Sequence, residues 1–551
     1  MNNIIDGVAF KDFVKFAYNN LHANAKIVDE LNVFPIPDGD TGANMSMTLG
    51  GGYHALQNFE SNHVGEVASK CADGMLLNAR GNSGVILSQL FYGFAEAIKD
   101  KETVVVSDLV SAFGEGVKRG YLAVDKPAEG TMLTVAREGY EYVRDYVDPN
   151  TSIENFVVEL LNATNKSVQD TPNKLEVLKK AKVVDSGGAG IYYIYEGVNK
   201  GLHGKDLGTE TPIVCKQQEI DYSKFNENSV LTFGYCSEVL LQLTKSKIDV
   251  DKFNLEELKA YLNTIGDSLV ASQTGYVVKI HVHTFEPYKL LQHCQQYGEF
   301  LKIKIENMTI QDNEANIQNN FQPIVANKAE RKRFGLVTVA TGEGLIETFK
   351  NFGADVVING GQTNNPSTED FINAFEQTNA EIVFVLPNNS NIILTAKQAA
   401  EMYKSSQIYV VESRSIGDGY AALSLLDYSS DDVNTILSNL QEAVTTTESG
   451  AITRAIRTTK VGDINVTKDD YVAISGKTML SSTPTKIRTI NELINKLHPE
   501  TKDYCVLIYG KGMDNADKEL TLTYLHGKYP NLEVYEIEGG QEIYDLFIVL
   551  N

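Results

Sequence analysis

Two aspartates lie two positions apart in a proline-stiffened segment that reads Asn32-Val-Phe-Pro-Ile-Pro-Asp-Gly-Asp-Thr-Gly-Ala-Asn44. Asp38 and Asp40 are close enough to repel each other unless a cation neutralises them. Mg²⁺ suits this role because it takes one or two carboxylates and fills its other positions with water and substrate phosphates. A helix-like run follows, and the start of a helix presents N–H groups to an anion. The segment therefore predicts a site for Mg²⁺ and a nucleotide.

Two other interpretations of this segment compete with a nucleotide site. A single Asp-Gly-Asp sequence is most often a polar turn. A calcium loop that started at Asp38 would need Asp or Asn at its fifth position and Glu at its twelfth. Gly42 and Leu49 occupy those positions, so the calcium loop is excluded.

Three more glycine-rich segments occur in the first 200 residues. They read Ala79-Arg-Gly-Asn-Ser-Gly84, Glu129-Gly-Thr-Met-Leu133 and Val184-Asp-Ser-Gly-Gly-Ala-Gly190. In the first of them, Gly81 and Gly84 let the backbone approach phosphate oxygens, and Ser83 offers a hydroxyl. Arg80 is a candidate to stabilise developing charge, although an arginine at a helix start is more often structural. Together the four segments predict one phosphate and nucleotide site.

Composition limits the remaining classes of function. The chain has 551 residues, with 49 Lys and Arg against 72 Asp and Glu, which gives a net charge of −23. This charge disfavours nucleic-acid binding and attachment to anionic lipid by charge alone. No long apolar run predicts a membrane span, and the N-terminal residues do not read as a secretory signal. Five scattered cysteines are typical of a reducing compartment, so we expect a cytoplasmic protein.

The hydrophobic pattern predicts a multidomain chain. Residues 1–204 carry helical periodicity throughout and predict an all-α domain. Polar stretches at 205–228 and 309–333 predict linkers, and a smaller α/β domain is expected within residues 205–325. Residues 330–551 alternate short buried strands with helical segments, which predicts an open α/β domain with a largely parallel sheet.

The predicted elements can be compared with the structure one by one. The predicted N-terminal helices are Gly7–Leu31, Asn44–Phe59, His63–Leu77, Val85–Ile98, Val106–Leu122 and Thr131–Tyr146. The middle domain is predicted to hold a helix at Asn254–Leu269, a strand at Gly275–Thr284 and a helix at Leu290–Tyr297. The predicted C-terminal strands are Phe334–Val339, Ala354–Ile358, Glu381–Leu386, Ile408–Val411, Tyr504–Ile508 and Leu532–Ile537.

A second group of residues predicts a site for a different metal. His281 and His283 are two residues apart on a predicted strand, so both lie on one face of it. Two imidazoles on one face suit zinc, and Cys236 is a candidate thiolate ligand from a neighbouring strand or turn. Ordinary strand histidines are the competing interpretation. Candidates for a fourth ligand stay open among three residues: Glu238, His293 and Cys294.

The chain resembles the ATP-binding A subunit of the bacterial fatty acid kinase over its whole length. The similarity is densest in residues 30–190. It is carried by Asn-Val-Phe-Pro-x-Pro-Asp-Gly-Asp-Thr-Gly-x-Asn-Met from residue 32, Ala-Arg-Gly-Asn-Ser-Gly-Val-Ile-Leu-Ser-Gln from residue 79, Glu-Gly-Thr-Met-Leu-Thr-Val from residue 129 and Val-Val-Asp-Ser-Gly-Gly from residue 183. The kinase domain of that family is related to the L subunit of dihydroxyacetone kinase. The resemblance implies a barrel of antiparallel helices with the nucleotide at one end.

The resemblance also implies cofactors and site residues. Asp38 and Asp40 would hold two Mg²⁺ ions that bridge the phosphates of ATP. Asn32 lies near the position where the dihydroxyacetone kinases use a third aspartate, so the third ligand differs in kind. Cys236, His281 and His283 would bind Zn²⁺. The positions that would line the phosphates and the nucleotide are Asn32, Thr41, Asn44, Gly81, Ser83, Gly84, Thr131, Met132, Asp185 and Gly187.

The function expected from this resemblance is ATP-dependent phosphorylation of a fatty acid carboxylate. The product would be an acyl phosphate for membrane phospholipid synthesis. A separate fatty-acid-binding carrier, the B subunit of the family, would present the substrate to residues 330–551, and the chain is expected to form a homodimer. Two alternatives stay open: a kinase for a small hydroxylated substrate such as dihydroxyacetone, and a non-catalytic scaffold that senses ATP.

Overall fold

The computed structural model describes residues 3–32, 39–204, 235–250, 253–262, 264–274, 276–307, 331–361, 364–426, 432–476 and 478–551. The chain forms two compact units. One consists of Met1–Thr211 together with Glu330–Asn551, and the other is Pro212–Ala329. The predicted linker at 205–228 and most of the predicted linker at 309–333 lie outside the described residues.

The described part of residues 3–204 is all helical, as predicted. Its helices are α1 (Gly7–Glu30), α2 (Thr41–Leu56), α3 (Val64–Leu77), α4 (Gly81–Ile98), α5 (Val106–Leu122), α6 (Met132–Tyr146), α7 (Ile153–Lys174), α8 (Glu176–Ala181) and α9 (Ser186–Leu202). The first helix illustrates why they form. Asp6 caps it by accepting from the Ala9 N–H at 2.9 Å. Phe10, Val14, Ala17 and Leu21 recur at three- and four-residue spacing and are buried along one face.

Successive long helices of this region pack on one another, and the last returns to the first. Helix α1 contacts both α2 and α9, and α7 contacts α9. The helices enclose one continuous apolar core. This core contains a cavity of about 120 Å³ that is lined by Phe91, Phe94, Phe113 and Phe156 among other apolar side chains. Because the helices close on themselves, the loops at one end of the bundle are brought together.

The described residues of the middle unit form an antiparallel sheet with helices packed against it. Its strands are β1 (Tyr235–Leu243), β2 (Asp267–Thr274), β3 (Val277–Thr284) and β4 (Gly298–Asn307), in the order β2-β3-β1-β4. Its helices are α10 (Leu255–Leu262) and α11 (Pro287–Cys294). The prediction of a helix over Asn254–Leu269 was wrong at its end, because Asp267 already pairs with β3. Leu269, Val270 and Ala271 form a short apolar run, and such a run does not distinguish a strand from a helix.

Residues 331–426 form the first sheet of the C-terminal region. Strands β5 (Lys332–Ala340), β6 (Val356–Asn359), β7 (Ala380–Leu386) and β8 (Gln407–Val410) are all parallel, in the order β6-β5-β7-β8. The connecting helices are α12 (Glu343–Asn351), α13 (Thr368–Thr378) and α14 (Ile393–Met402), with α15 (Ile416–Ser424) after β8. The predicted parallel α/β sheet is confirmed for this part of the chain.

The prediction of a largely parallel sheet was wrong for residues 433–551. After α16 (Val433–Thr446), a mixed sheet has the order β13-β12-β9-β16-β14-β15, and among its described strands only β14 and β15 pair in parallel. Its members are β9 (Glu448–Arg454), β12 (Tyr471–Ser475), β13 (Thr478–Thr483), β14 (Tyr504–Tyr509), β15 (Glu533–Glu538) and β16 (Tyr544–Leu550), with α17 (Lys486–Lys496), α18 (Asn515–Lys528) and the small hairpin β10 (Thr459–Val461) and β11 (Ile464–Val466). Strands β12 and β13 follow one another without a helix, and parallel pairing requires a long crossover. Among the described helices, none is long and apolar enough to span a membrane.

Candidate functional site

The start of α2 differs from the sequence-based prediction. The helix begins at Thr41, three residues earlier than predicted. Asp29, near the end of α1, accepts from the N–H groups of Gly42 at 2.7 Å and Ala43 at 3.3 Å. Burial raises the pKa of Asp29, while these two hydrogen bonds oppose the rise. The prediction that these N–H groups would be free to bind an anion was therefore wrong, because a carboxylate from α1 already caps them.

Asp40 lies at the N-cap of α2, next to a cluster of amide side chains. Asn44 is buried one turn into the helix. An added Cβ on Gly81, which has φ +57°, would lie 2.6 Å from Asn44 Nδ2 and 3.3 Å from Asn365 Nδ2. Asn365 in turn donates its Nδ2 hydrogen to Asp40 Oδ2. Asp40, Asn44, Gly81 and Asn365 are thus neighbours, whereas Asp38 lies outside the described residues.

The N-cap residue of α4, Arg80, makes no side-chain cap hydrogen bond to the first turn of this helix. Its first-turn N–H groups have no intrahelical partner and suit an anion. Ser83 is half-buried in that turn. An added Cβ on Gly84 would lie 2.4 Å from Thr48 Oγ1, so Gly84 lets α4 pack closely on α2. This helix start stays a predicted phosphate-binding element.

Asn32 and Thr41 belong to a small polar cluster. Asn32 Oδ1 accepts hydrogen bonds from Thr41 Oγ1 at 2.9 Å and from Ser186 Oγ at 3.3 Å. Asn32 Nδ2 donates to the Asp29 carbonyl at 3.0 Å. Asn32 Oδ1, which would replace an aspartate oxygen as a third metal ligand, therefore already accepts hydrogen bonds from two hydroxyl groups. This cluster joins the start of α2 to the start of α9.

Asp185 joins the starts of α9 and α6. Its Oδ2 accepts from the Gly188 N–H at 2.7 Å, and the Met132 N–H also donates to its carboxylate. Burial raises the pKa of Asp185 to about 6, and these two hydrogen bonds only partly offset that rise. Thr131 is the N-cap of α6 and donates to the Ala128 carbonyl at 2.8 Å. An added Cβ on Gly187 would lie 3.0 Å from Met132 Cβ, so Thr131, Met132, Asp185 and Gly187 form one neighbourhood.

Asp185→Asn should change the pH dependence of stability. The folded-state pKa of about 6 exceeds the ordinary aspartate value of 3.8. The folded protein therefore binds more protons than the unfolded chain between about pH 4 and pH 6, and wild-type stability falls as pH rises through that window. Relative to the variant, which keeps an acceptor oxygen but does not titrate, the wild type should lose about 2–3 kcal/mol from pH 4 to pH 7. Thermal unfolding across this range measures it, and a difference that stays constant with pH would contradict the assignment.

The four glycine-rich segments thus converge at one end of the helical bundle. The sequence-based prediction missed Asp29, which caps α2, and it missed the contact with Asp40 that Asn365 makes from the loop at residues 360–367, a segment that the sequence marks only as a connecting or ligand loop of the C-terminal region. An aspartate within a helix gives no signal of its own in a sequence, but the Asx residues before Ser367 do mark a loop. Among the described side chains, no group of three or more His, Cys, Asp or Glu residues is arranged to hold a metal ion. The side chains of Cys236, His281 and His283 lie outside the described part of the chain.

Comparison with known protein families gives a match for each of the three regions of the chain. The model of the DAK2 domain family matches residues 35–200. Two models of the FakA-like family, which is named for the A subunit of fatty acid kinase, match later parts of the chain. Its middle-domain model matches residues 232–315, and its C-terminal model matches residues 335–551.

Two similar proteins match the chain over nearly all of its residues. A Staphylococcus epidermidis protein is 36% identical over 552 residues, which cover 99% of this chain and 99% of the relative. A Staphylococcus aureus protein is 35% identical over 547 residues, which cover 98% of each chain. Both relatives carry the description "uncharacterized protein". The chain belongs to the FakA-like family of fatty acid kinase proteins, with a DAK2 domain related to dihydroxyacetone kinase.

Two solved structures are similar to parts of the chain. DegV, a fatty acid binding protein from Bacillus subtilis, covers 40% of this chain and 99% of its own, with 12% identity and a TM-score of 0.30. The dihydroxyacetone kinase from C. freundii in complex with AMP-PNP and Mg²⁺ covers 34% of this chain and 33% of its own, with 16% identity and a TM-score of 0.28. At these scores the two similarities carry no argument about this chain.

Proposed function

We propose that this chain transfers a phosphoryl group from ATP to the carboxylate of a fatty acid, which gives an acyl phosphate for membrane phospholipid synthesis. The observation that carries the proposal is the neighbourhood of Asp40, Asn44 and the uncapped start of α4, within the DAK2 domain of a FakA-like chain. We propose a division into a kinase domain at 1–204, a middle domain at 205–325 and a carrier-docking domain at 330–551.

The donor set near Asp40 fits a hard cation. Carboxylate and amide oxygens are ligands that Mg²⁺ takes, and Asp40 and Asn44 provide both kinds within one neighbourhood. Asp38 and Asp40 are the proposed ligands for two Mg²⁺ ions. When bound, the metal neutralises charge on the transferred phosphoryl group. Ser83 and the first-turn N–H groups of α4 are the proposed phosphate contacts.

A carboxylate substrate needs few catalytic groups from the site. Fatty acid carboxylates are ionised at pH 7, so the nucleophile needs no general base. Positioning and charge neutralisation then supply the rate enhancement. In the structure, Arg80 donates to the Asn365 carbonyl at 2.7 Å and lies 3.6 Å from Asp370. These contacts give Arg80 a structural role in holding the loop that carries Asn365.

We propose that the middle unit binds zinc through Cys236, His281 and His283. In backbone register, Cys236 pairs with His283 across β1 and β3, and Asp267 of β2 pairs with His283 on the other side. Asp267 thereby joins Glu238 as a candidate fourth ligand. His293 stacks on Tyr261 with 3.6 Å between ring centroids. Cys294 packs in the apolar core, where burial raises the pKa of its thiol to about 12, so both are poorer candidates.

Metal analysis tests the zinc site. The purified full chain should carry about one zinc per molecule, and Cys236→Ser should lose most of it because a thiolate is a much stronger zinc ligand than a hydroxyl. Cys294→Ser is the matched control and should retain the metal. Equal zinc in wild type and in Cys236→Ser, or loss in the control alone, would contradict the assignment.

The acyl phosphate itself is the direct test of the proposed function. We expect hydroxylamine to trap an acyl hydroxamate when the chain, Mg²⁺, ATP, a fatty acid and the carrier protein are mixed. The carrier is proposed to be a separate fatty-acid-binding protein of the B subunit type. Phosphorylation of dihydroxyacetone in place of the fatty acid would favour the small-substrate kinase to which the DAK2 domain is related.

A further inference from the structure

A loop of the C-terminal region is held directly against the start of α4. Arg80 and Ser367 form a backbone bridge, and the Thr368 N–H donates to the Ala79 carbonyl at 3.2 Å. The Arg80 guanidinium donates to the Asn365 carbonyl at 2.7 Å. The loop follows β6, at the carboxyl end of the parallel sheet. Backbone and side-chain contacts together fix its position beside the candidate phosphate site.

Asn365 extends from this loop to Asp40. Its Nδ2 donates to Asp40 Oδ2, and the residue is only 1% exposed. Asn365 Oδ1 is also buried, and it has no hydrogen-bond partner among the described residues. An amide donor can hold one oxygen of a carboxylate without adding a charge that would compete with a cation. A lysine or arginine in the same place would neutralise Asp40 and weaken its attraction for a metal ion.

We propose that Asn365 is a positioning residue that orients the Asp40 carboxylate toward the divalent cation, so that the C-terminal region completes the metal site of the helical domain. The inference rests on the proposed role of Asp40 as a metal ligand. Carboxylates that bind metals are themselves held by hydrogen bonds, and loss of such a partner lowers metal affinity or activity by about 10- to 100-fold. Asn365 acts through Asp40 and needs no contact with the substrate.

The same domain contact offers a control that does not touch Asp40. Gln398 on α14 donates to the Leu76 carbonyl and to Thr368 Oγ1, each at 3.0 Å, and accepts from Gln89 Nε2 at 2.8 Å. Gln398 is buried in this contact, with 5% of its surface exposed. Gln398→Ala therefore loosens the contact between the helical domain and the C-terminal region while the Asn365–Asp40 hydrogen bond keeps its partners.

A magnesium titration of nucleotide binding tests the proposal on the full chain. Binding of a fluorescent ATP analogue is followed as Mg²⁺ is raised, for wild type, Asn365→Ala, Asn365→Leu and Gln398→Ala. Asn365→Leu keeps the approximate shape of the side chain and removes the donor, so it separates the hydrogen bond from packing. We expect the half-saturating Mg²⁺ concentration to rise about 10- to 100-fold in both Asn365 variants. Nucleotide affinity at saturating Mg²⁺ should return to within about two-fold of wild type, and Gln398→Ala should behave as wild type.

Two results would overturn the proposal. One is an unchanged Mg²⁺ dependence in both Asn365 variants. The other is an equal shift in Gln398→Ala, because a loosened domain contact would then explain the effect. The readout needs no acyl substrate, so a wild-type chain that binds Mg²⁺ and nucleotide but makes no acyl phosphate would refute the proposed function and leave this inference standing.

Discussion

Asp40→Ala should lower turnover by about a thousand-fold or more while the helical domain stays folded. Asp40 is the described carboxylate of the candidate metal site, and a bound cation supplies several kcal/mol of charge stabilisation to phosphoryl transfer. A loss of about 4 kcal/mol corresponds to about a thousand-fold in rate. The measurement is the steady-state rate of ATP consumption with fatty acid and carrier present. Far-UV circular dichroism checks that the helices remain.

Asp100→Ala is the control for this variant. Asp100 is an exposed aspartate that follows α4, so its removal changes the net charge by the same amount without touching the site. Its turnover should stay within about two-fold of wild type. Asp38→Ala is expected to match Asp40→Ala, since Asp38 is the second proposed metal ligand. Normal turnover in either site variant would refute the metal assignment.

Deletion of residues 330–551 should abolish binding of the fatty-acid-binding carrier. We expect the affinity to fall by at least about a hundred-fold, or about 2.7 kcal/mol. The reason is spatial: this region places its Asn365 loop beside Asp40, so a carrier docked on it would deliver a carboxylate close to the proposed phosphate contacts.

Carrier binding to the immobilised chain measures this effect. The deletion exposes surfaces of α3 and α4 that pack on α14 in the full chain, so helical content must be checked in parallel. Gln398→Ala, which only loosens that packing, should bind the carrier as wild type does. Undiminished carrier binding after the deletion would place the docking surface elsewhere.

Local sequence patterns predicted the helical domain well. The helix Val106–Leu122 was predicted at its observed bounds, and α1 differs from its prediction by one residue at its end. Apolar residues at three- and four-residue spacing determine these elements, and spacing can be read directly from the chain. The parallel strands β5 and β7 were also predicted, because continuous apolar runs between helices are typical of a buried parallel sheet.

Features that depend on tertiary contacts could not be predicted in this way. The start of α2 was placed three residues late because its cap, Asp29, belongs to the preceding helix. Asn365 reaches Asp40 across 325 positions of sequence, and no local pattern encodes such a contact. The pairing of β16 between β9 and β14 likewise arises from a strand that returns from the end of the chain. The glycine-rich segments that lie together in the structure were thus singled out from the sequence, whereas the contacts that Asp29 and Asn365 make with them were found only in the structure.

The most direct test is ATP consumption by the purified full chain in the presence of Mg²⁺. Fatty acid and candidate carrier proteins are added singly and together, with dihydroxyacetone as the competing acceptor. The account predicts turnover only when fatty acid and carrier are both present. Turnover with dihydroxyacetone alone, or no turnover under any of these conditions, would contradict it.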